Sequence, residues 1–433
     1  MSVFLSGGSI CGLNGVERAD VLITGNSIVG VGTDLPVPED ARRIDATGLV
    51  TLPGLVDIHA HLREPGNEEA ETIETGARGA ALGGFTAVIA MPNTNPTIDS
   101  PSVVRDVHAI AEGTACEVLP SAAMTVGRQG ELLTPMGELA AMGVRIFTDD
   151  GTGVQDPAMM RSIMEYATGL EAVTDGVPIV LAQHCEVTAL SQHGHMHEGE
   201  WSTRLGMAGQ PVIAETLMMQ RDIALAELTG ARIHFQHVSS AQGVEIIRQA
   251  KADGLAITAE ATTHHFTLTD AACASYDPVF KVHPPLRTDD DVAAIREALA
   301  DGTIDAIATD HAPHEPHTKE FPFDHAPPGM LGFETAFALA VTELGLPLER
   351  VVELMSTRPA EIAGIADRHG RPVASGNRAN LAVVDLEERW TVSGVNMASR
   401  SQNTPYEGRE LQGKVKYTIA NGEVMVDEGV ATQ

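Results

Sequence analysis

Cysteine is scarce in this sequence. Cys11, Cys116, Cys185 and Cys273 are scattered, and no Cys-x-x-Cys pair occurs. That excludes a disulfide framework and suits reduced thiols in a cytoplasm. Positive charge is also in short supply: 28 Lys and Arg stand against 59 Asp and Glu, a formal net charge of −31. Such a balance argues against nucleic acid or an anionic membrane as a partner. It leaves room for an anionic small substrate, because one arginine can dominate a pocket. The opening Met1-Ser2-Val3-Phe4-Leu5 lacks a basic lead and a long apolar segment, so no signal peptide is expected. No run approaches the roughly 20 apolar residues of a membrane span. The expected location is the cytoplasm. What remains is 433 residues, 43% hydrophobic and 20% charged, a make-up that fits a soluble enzyme with one large core and a smaller satellite.

The most informative run is Asp57-Ile58-His59-Ala60-His61-Leu62-Arg63-Glu64-Pro65-Gly66. It follows the apolar Leu52-Pro53-Gly54-Leu55-Val56 and reads as a buried strand passing into a loop. Side chains alternate along a strand, so His59 and His61 project the same way. Two imidazoles on one face at a sheet's lip are placed to grip a metal ion. If the chain stays extended, Arg63 continues on that face and can hold an anion beside the metal. Alone, a His-x-His is weak evidence, since two polar residues ending a strand arise often by chance.

From Leu55 onward, short apolar strands alternate with helical stretches through eight cycles. The strands are expected to end near Ile58, Ala90, Pro120, Phe147, Ala182, Gln236, Glu260 and Thr309. Segments with helical spacing lie between them, among them Glu71–Leu82, Ala158–Ala167, Pro211–Leu228, Gly243–Ala252 and Asp289–Leu299. This is the pattern of a (β/α)8 barrel, with a doubly wound open sheet as the competing fold. The flanks differ. Asp20–Thr24 and Ser27–Val31 are strands separated by Gly25-Asn26, a hairpin signal. Leu381–Asp385 and Lys414–Ile419 also read as strands. The expectation is a barrel over 55–365 inserted into a small β-sandwich domain built from 1–54 and 366–433.

Working residues of such a barrel sit at the C-terminal ends of its strands. Here those ends carry His59 and His61, then Asp149-Asp150, His184, His237 and Asp310. Four imidazoles and two carboxylates without a thiolate match two divalent ions, zinc above all, sharing a carboxylate bridge. A short turn does not by itself separate Asp149 from Asp150 as the bridging group. His193, His195 and His197 fall in the loop after strand five and are expected to be solvated. His264-His265 could touch the rim or simply pack, and Cys185 reads as a packed small residue. The segment Ala312–Leu331 is long for such a loop, with a lid or a proline-stiffened connector as its two readings.

His59-Ala60-His61-Leu62-Arg63-Glu64-Pro65-Gly66, Met91-Pro92-Asn93-Thr94, Phe147-Thr148-Asp149-Asp150-Gly151, Pro284-Pro285-Leu286-Arg287 and Ala308-Thr309-Asp310-His311-Ala312-Pro313-His314 together resemble the class I bacterial dihydroorotases of the amidohydrolase superfamily. The resemblance covers essentially the whole chain. It implies two Zn2+ per chain, one held by His59, His61 and Asp310 and the other by His184 and His237, with Asp150 bridging. It implies that His61, Arg63, Asn93, His283, His314, Pro328 and Gly329 meet the substrate, with Arg63 and Asn93 on its carboxylate. It also implies interconversion of N-carbamoyl-L-aspartate and L-dihydroorotate in pyrimidine biosynthesis, with Asp310 as general acid/base. One departure stands out: His283 occupies a position where relatives usually carry an asparagine, and a titratable ring there is expected to add a pH dependence. A homodimer is expected, with association with aspartate transcarbamoylase as a further option.

The rival readings are a hydantoinase- or allantoinase-type enzyme and a non-catalytic scaffold for the transcarbamoylase. The first generally uses a lysine at strand four, and Val144-Arg145-Ile146-Phe147 offers none. The second is expected to have lost metal ligands, whereas all six are present here.

Overall fold

The structure is a computed structural model that describes residues 2–12, 15–174 and 176–433. Eight short strands carry the core: Leu55–Ala60, Phe85–Ala90, Glu117–Pro120, Ile146–Phe147, Val180–Gln183, Ile233–Phe235, Ile257–Thr262 and Ala306–Ala308. Neighbours pair in parallel within two arcs, one of the first three strands and one of the last five. Two bridges join the arcs, Ala122 with Phe147 and Ala60 with His311, closing the (β/α)8 barrel. Asp57 adds a strap across the second seam. Its carboxylate accepts from the backbone N–H of His59 and of Thr309, and from the Thr309 hydroxyl.

The helices begin where the sequence supplies caps. Asp156 accepts from the Ala158 N–H ahead of helix Pro157–Thr168, Ser240 from the Gly243 N–H ahead of Ala241–Ala252, and Thr288 forms a reciprocal box with Asp291 ahead of Asp289–Asp301. The strands end within a residue or two of the expected positions, because runs of buried apolar residues bounded by turns mark them well.

Outside the barrel, Ser27–Gly32, Asp20–Thr24, Ser2–Ser6 and Arg42–Asp45 form a four-stranded sheet. Its hairpin turns at Gly25-Asn26, with Thr24 opposite Ser27 and Gly25 at φ 59°. A seven-stranded sheet lies beside it, and there Leu381–Thr391 pairs with both Val50–Pro53 and Glu410–Ala420. The two ends of the chain therefore share a sheet. Alternation along that strand serves two cores. Leu381 and Val383 pack with Val3, Leu5, Val21 and Ile23 of the four-stranded sheet. Ala382 and Val384 belong with Phe337 and Val415 to the large core around the barrel.

Candidate active site

The rim of the barrel gathers residues that lie far apart in the chain. Of the twelve expected site residues, eleven line one cavity of about 230 Å3, and His59 lies beneath it at 0% exposure. Asp150 is at the centre. Its Oδ1 lies 3.4 Å from His59 Nε2, 3.6 Å from His184 Nδ1 and 3.7 Å from His237 Nε2, and its Oδ2 lies 3.6 Å from His61 Nε2. Two groups able to hold an ion, His59/His61/Asp150 and Asp150/His184/His237, thus share one carboxylate. Asp310 Oδ1 approaches His61 Nε2 at 3.0 Å and His59 Nε2 at 3.6 Å.

The neighbouring aspartates separate cleanly. Asp149 accepts from the backbone N–H groups of Met124 (2.8 Å) and Thr125 (3.1 Å) and from the Thr125 hydroxyl, so it holds a turn rather than facing the imidazoles.

The hydrogen bonds decide which ring nitrogens face the centre. His59 Nδ1 lies 2.6 Å from Glu260 Oε1, and a carboxylate there claims the N–H. His61 Nδ1 donates to Asn93 Oδ1 at 2.8 Å, and His184 Nε2 faces Glu186 Oε2 at 3.2 Å. The opposite nitrogens of these rings are then lone pairs, and they point at carboxylate oxygens. His59 Nε2 is sealed and has no hydrogen-bond partner, while His184 Nδ1 and His237 Nε2 face each other at 2.8 Å. The lone pairs of His59, His61 and His184 converge with the anionic oxygens of Asp150 and Asp310, which calls for a positive charge, and a borderline divalent cation fits that donor set.

The electrostatics agree. Burial opposes charge on His59, yet Glu260, Asp150 and Asp310 outweigh it and drive the ring well above its ordinary value. Burial pushes Asp150 up, but positive charge at His59 and the close imidazoles of His184 and His237 outweigh it and hold the carboxyl well below the usual range. Glu260 and Glu186 are likewise pushed up by burial, then carried down to about 2, chiefly by His59 and His184 respectively.

Three residues of the rim carry backbone strain. Arg63 (φ 61°), His237 (φ 33°) and Asp310 (φ 46°) all sit in the left-handed region, which costs about 1–3 kcal/mol per residue. The chain therefore does not stay extended past His61; it turns, and Arg63 reaches the cavity from that turn. Arg63 Nε donates to Pro313 O at 3.0 Å. Burial lowers its pKa to about 10, with Asp310 and Asp150 opposing, so it remains a cation at neutral pH.

His314 donates from Nε2 to Pro328 O at 2.7 Å, which ties the start of the long loop to its end. Gly329 has φ 143°, and a Cβ on it would lie 2.7 Å from that ring nitrogen. Asn93 is less free than expected, since its amide also donates to Asp150 Oδ2 at 3.2 Å. His197 departs from the expected solvated loop: it is buried, with Nδ1 3.1 Å from the Arg287 guanidinium. His265 packs, its ring nitrogens on the Thr262 hydroxyl and Pro284 O. Burial brings His283 down to about 4, against Glu186, which places any pH dependence from this ring on the acid side.

Glu260 and Glu186 were not among the expected site residues. The signal for Glu260 was a lone acid inside the strand Ile257–Thr262, a buried charge that needs a partner.

A family model described as dihydro-orotase-like matches residues 48–243. A dihydroorotase of Mycobacterium tuberculosis is 48% identical over 420 residues, 95% of this chain and 96% of that one. One from Streptomyces coelicolor is 46% identical over 425 residues, 96% and 97% of the two chains. Among solved structures, the L-hydantoinase (dihydropyrimidinase) from Arthrobacter aurescens superposes with a TM-score of 0.88 at 24% identity, covering 100% of this chain and 97% of that one. The dihydropyrimidinase from Brevibacillus agri NCHU1002 gives 0.86 at 23% identity, with 100% and 96% covered. At such identities these two speak for the barrel fold alone.

Proposed function

The chain belongs to the dihydroorotase family, and on that premise we propose that its rim residues interconvert L-dihydroorotate and N-carbamoyl-L-aspartate, a cyclic-amide hydrolysis and its reverse in pyrimidine biosynthesis. The observation that carries this reading is the sharing of Asp150 by two imidazole groups, with Arg63 and Asn93 at the same mouth.

His59, His61 and Asp310 would hold one zinc ion and His184 with His237 a second, Asp150 bridging. A pair of divalent ions held there would supply a water with its pKa lowered toward about 7 and a polarised carbonyl. The chain's own groups do the rest. Arg63 offers its terminal nitrogens to the exocyclic carboxylate and fixes the ring over the centre. Asn93, His283, His314 and the Pro328-Gly329 backbone close the walls around it. Asp310 takes the proton from the attacking water as the new C–O bond forms. It then delivers that proton to the ring nitrogen as the C–N bond breaks. In the biosynthetic direction the same transfers run backwards.

Residues 55–365 form the catalytic unit in this reading, with 1–54 and 366–433 as the β-domain; the mixed pairing of both chain ends supports that division. A homodimer belongs to the same proposal, and Ile213 and Leu217, each more than 40% exposed on helix Ile213–Thr229, are an apolar pair it would cover. A cytoplasmic location is supported by four buried free cysteines. Among the described residues, no helix is long and apolar enough to cross a membrane.

The test is hydrolysis of L-dihydroorotate beside hydantoin and dihydrouracil, with metal counted per chain. Turnover of dihydroorotate by protein carrying two zinc ions is expected. Cleavage of hydantoin but not dihydroorotate would overturn the assignment.

A further inference from the structure

Two sequence features remain without a role in this chemistry: the histidine-bearing loop after strand five, and Arg287 of Pro-Pro-Leu-Arg. The structure joins them. Met196–His197 pairs with Gly209–Gln210 as a two-stranded ribbon. Arg287, buried, binds that ribbon through His197 Nδ1 (3.1 Å) and Gln210 O (2.9 Å). Its Nε donates to Ser239 Oγ at 3.1 Å, and Ser239 in turn donates to the buried Glu215. The Gln210 backbone is thereby fixed from below, and the residue is only 2% exposed.

The Gln210 side chain points at the cavity wall. Its Nε2 lies 3.1 Å from Gly194 O, a carbonyl that can only accept, which identifies this atom as the amide nitrogen. The same nitrogen lies 3.0 Å from His283 Nε2. An amide N–H pointing at a ring nitrogen requires a lone pair there, so a neutral His283 carries its only proton on Nδ1. Among the described residues the His283 side chain bonds only through Nε2, which leaves Nδ1 to the cavity that His283 lines.

We infer that Gln210 is a positioning residue: it locks His283 in the Nδ1–H form, so that this ring donates a hydrogen bond to the substrate's carboxylate. An asparagine at position 283 would present a donor without help, whereas a histidine needs its tautomer chosen. The burial that keeps His283 neutral makes the choice necessary, because an imidazolium would donate from both nitrogens.

This inference rests on the dihydroorotase reading, and the experiment separates the two. The zinc-loaded protein and the variants Gln210→Met, His283→Asn and the double variant are assayed on L-dihydroorotate and on dihydrouracil, which lacks the carboxylate. Gln210→Met is expected to raise KM for dihydroorotate about tenfold with kcat within about twofold, and to leave dihydrouracil turnover unchanged. In the His283→Asn background the same substitution is expected to do nothing. Should Gln210→Met fail to fold, Gln210→Glu replaces it. Its carboxylate accepts from an Nε2–H, turns Nδ1 into an acceptor and is expected to raise KM further. Equal losses in both backgrounds, equal losses on both substrates, or a wild-type KM would overturn the role of Gln210. No turnover of dihydroorotate by the unaltered protein would overturn the functional reading and this inference with it.

Discussion

Glu260 Oε1 and His59 Nδ1 lie 2.6 Å apart, both sealed from solvent, and the same carboxylate reaches His234 Nε2 at 3.0 Å through its other oxygen. The contact fixes the tautomer of the most deeply placed imidazole and orients its Nε2 toward Asp150 and Asp310. Glu260→Gln keeps the shape but removes the charge that makes the ring a strong donor to a cation. Zinc affinity is expected to fall about 10–100-fold, read with a competing chromophoric chelator. An unchanged affinity would remove Glu260 from the centre.

The two adjacent aspartates give opposite expectations. Asp150→Asn should deplete both metals, because each imidazole pair shares that carboxylate. Asp149→Asn should keep metal and lower thermal stability, since its partners are Met124 and Thr125. Elemental analysis and a melting curve on each variant check this. Metal loss confined to Asp149→Asn would reverse the assignment.

Arg63→Lys retains charge but loses the planar fork, and the ammonium cannot both reach Pro313 O and face a carboxylate from two nitrogens. A fall in kcat/KM for dihydroorotate of at least about tenfold is expected, roughly 1.4 kcal/mol, with metal content intact. Wild-type kinetics would refute the anchor.

Glu334 supplies a pH dependence away from the metal centre. Burial raises its carboxyl to about 7, against the Ala398 N–H and Lys414. The folded value lies above the unfolded one of about 4.3, so the fold prefers the protonated acid. Its contribution is complete below the unfolded value and is lost as pH rises through about 7. Glu334→Gln should therefore match wild type near pH 4 and melt a few degrees higher at pH 8, which differential scanning calorimetry reads directly. A variant that melts lower at pH 8 would contradict the sign.

The sequence made the barrel legible because parallel strands covered on both faces are apolar runs, and because polar residues ending such runs have few structural reasons to be there. His59, His61, Asp150, His184, His237 and Asp310 all carried that mark. What stayed hidden depends on contacts made across the molecule. What sets Asp149 apart from Asp150 is a pair of backbone N–H groups of a different loop, Met124 and Thr125, which the local sequence does not reveal. The left-handed turn at Arg63 has no local signal, since arginine carries no preference for that region. His197 looked like part of a polar surface loop because its partner, Arg287, lies 90 residues away in sequence. Glu260 was visible as an acid in a strand, but only the fold brings His59 beside it.

From Leu381 to Val384 the side chains of the strand Leu381–Thr391 alternate between two hydrophobic interiors. Stripping the β-domain from the barrel would leave one side of this strand bare to water, so neither half can melt by itself without exposing the other. A lesion among Val3, Leu5 or Ile23, remote from the rim histidines, therefore weakens the scaffold that keeps the mouth of the barrel in register.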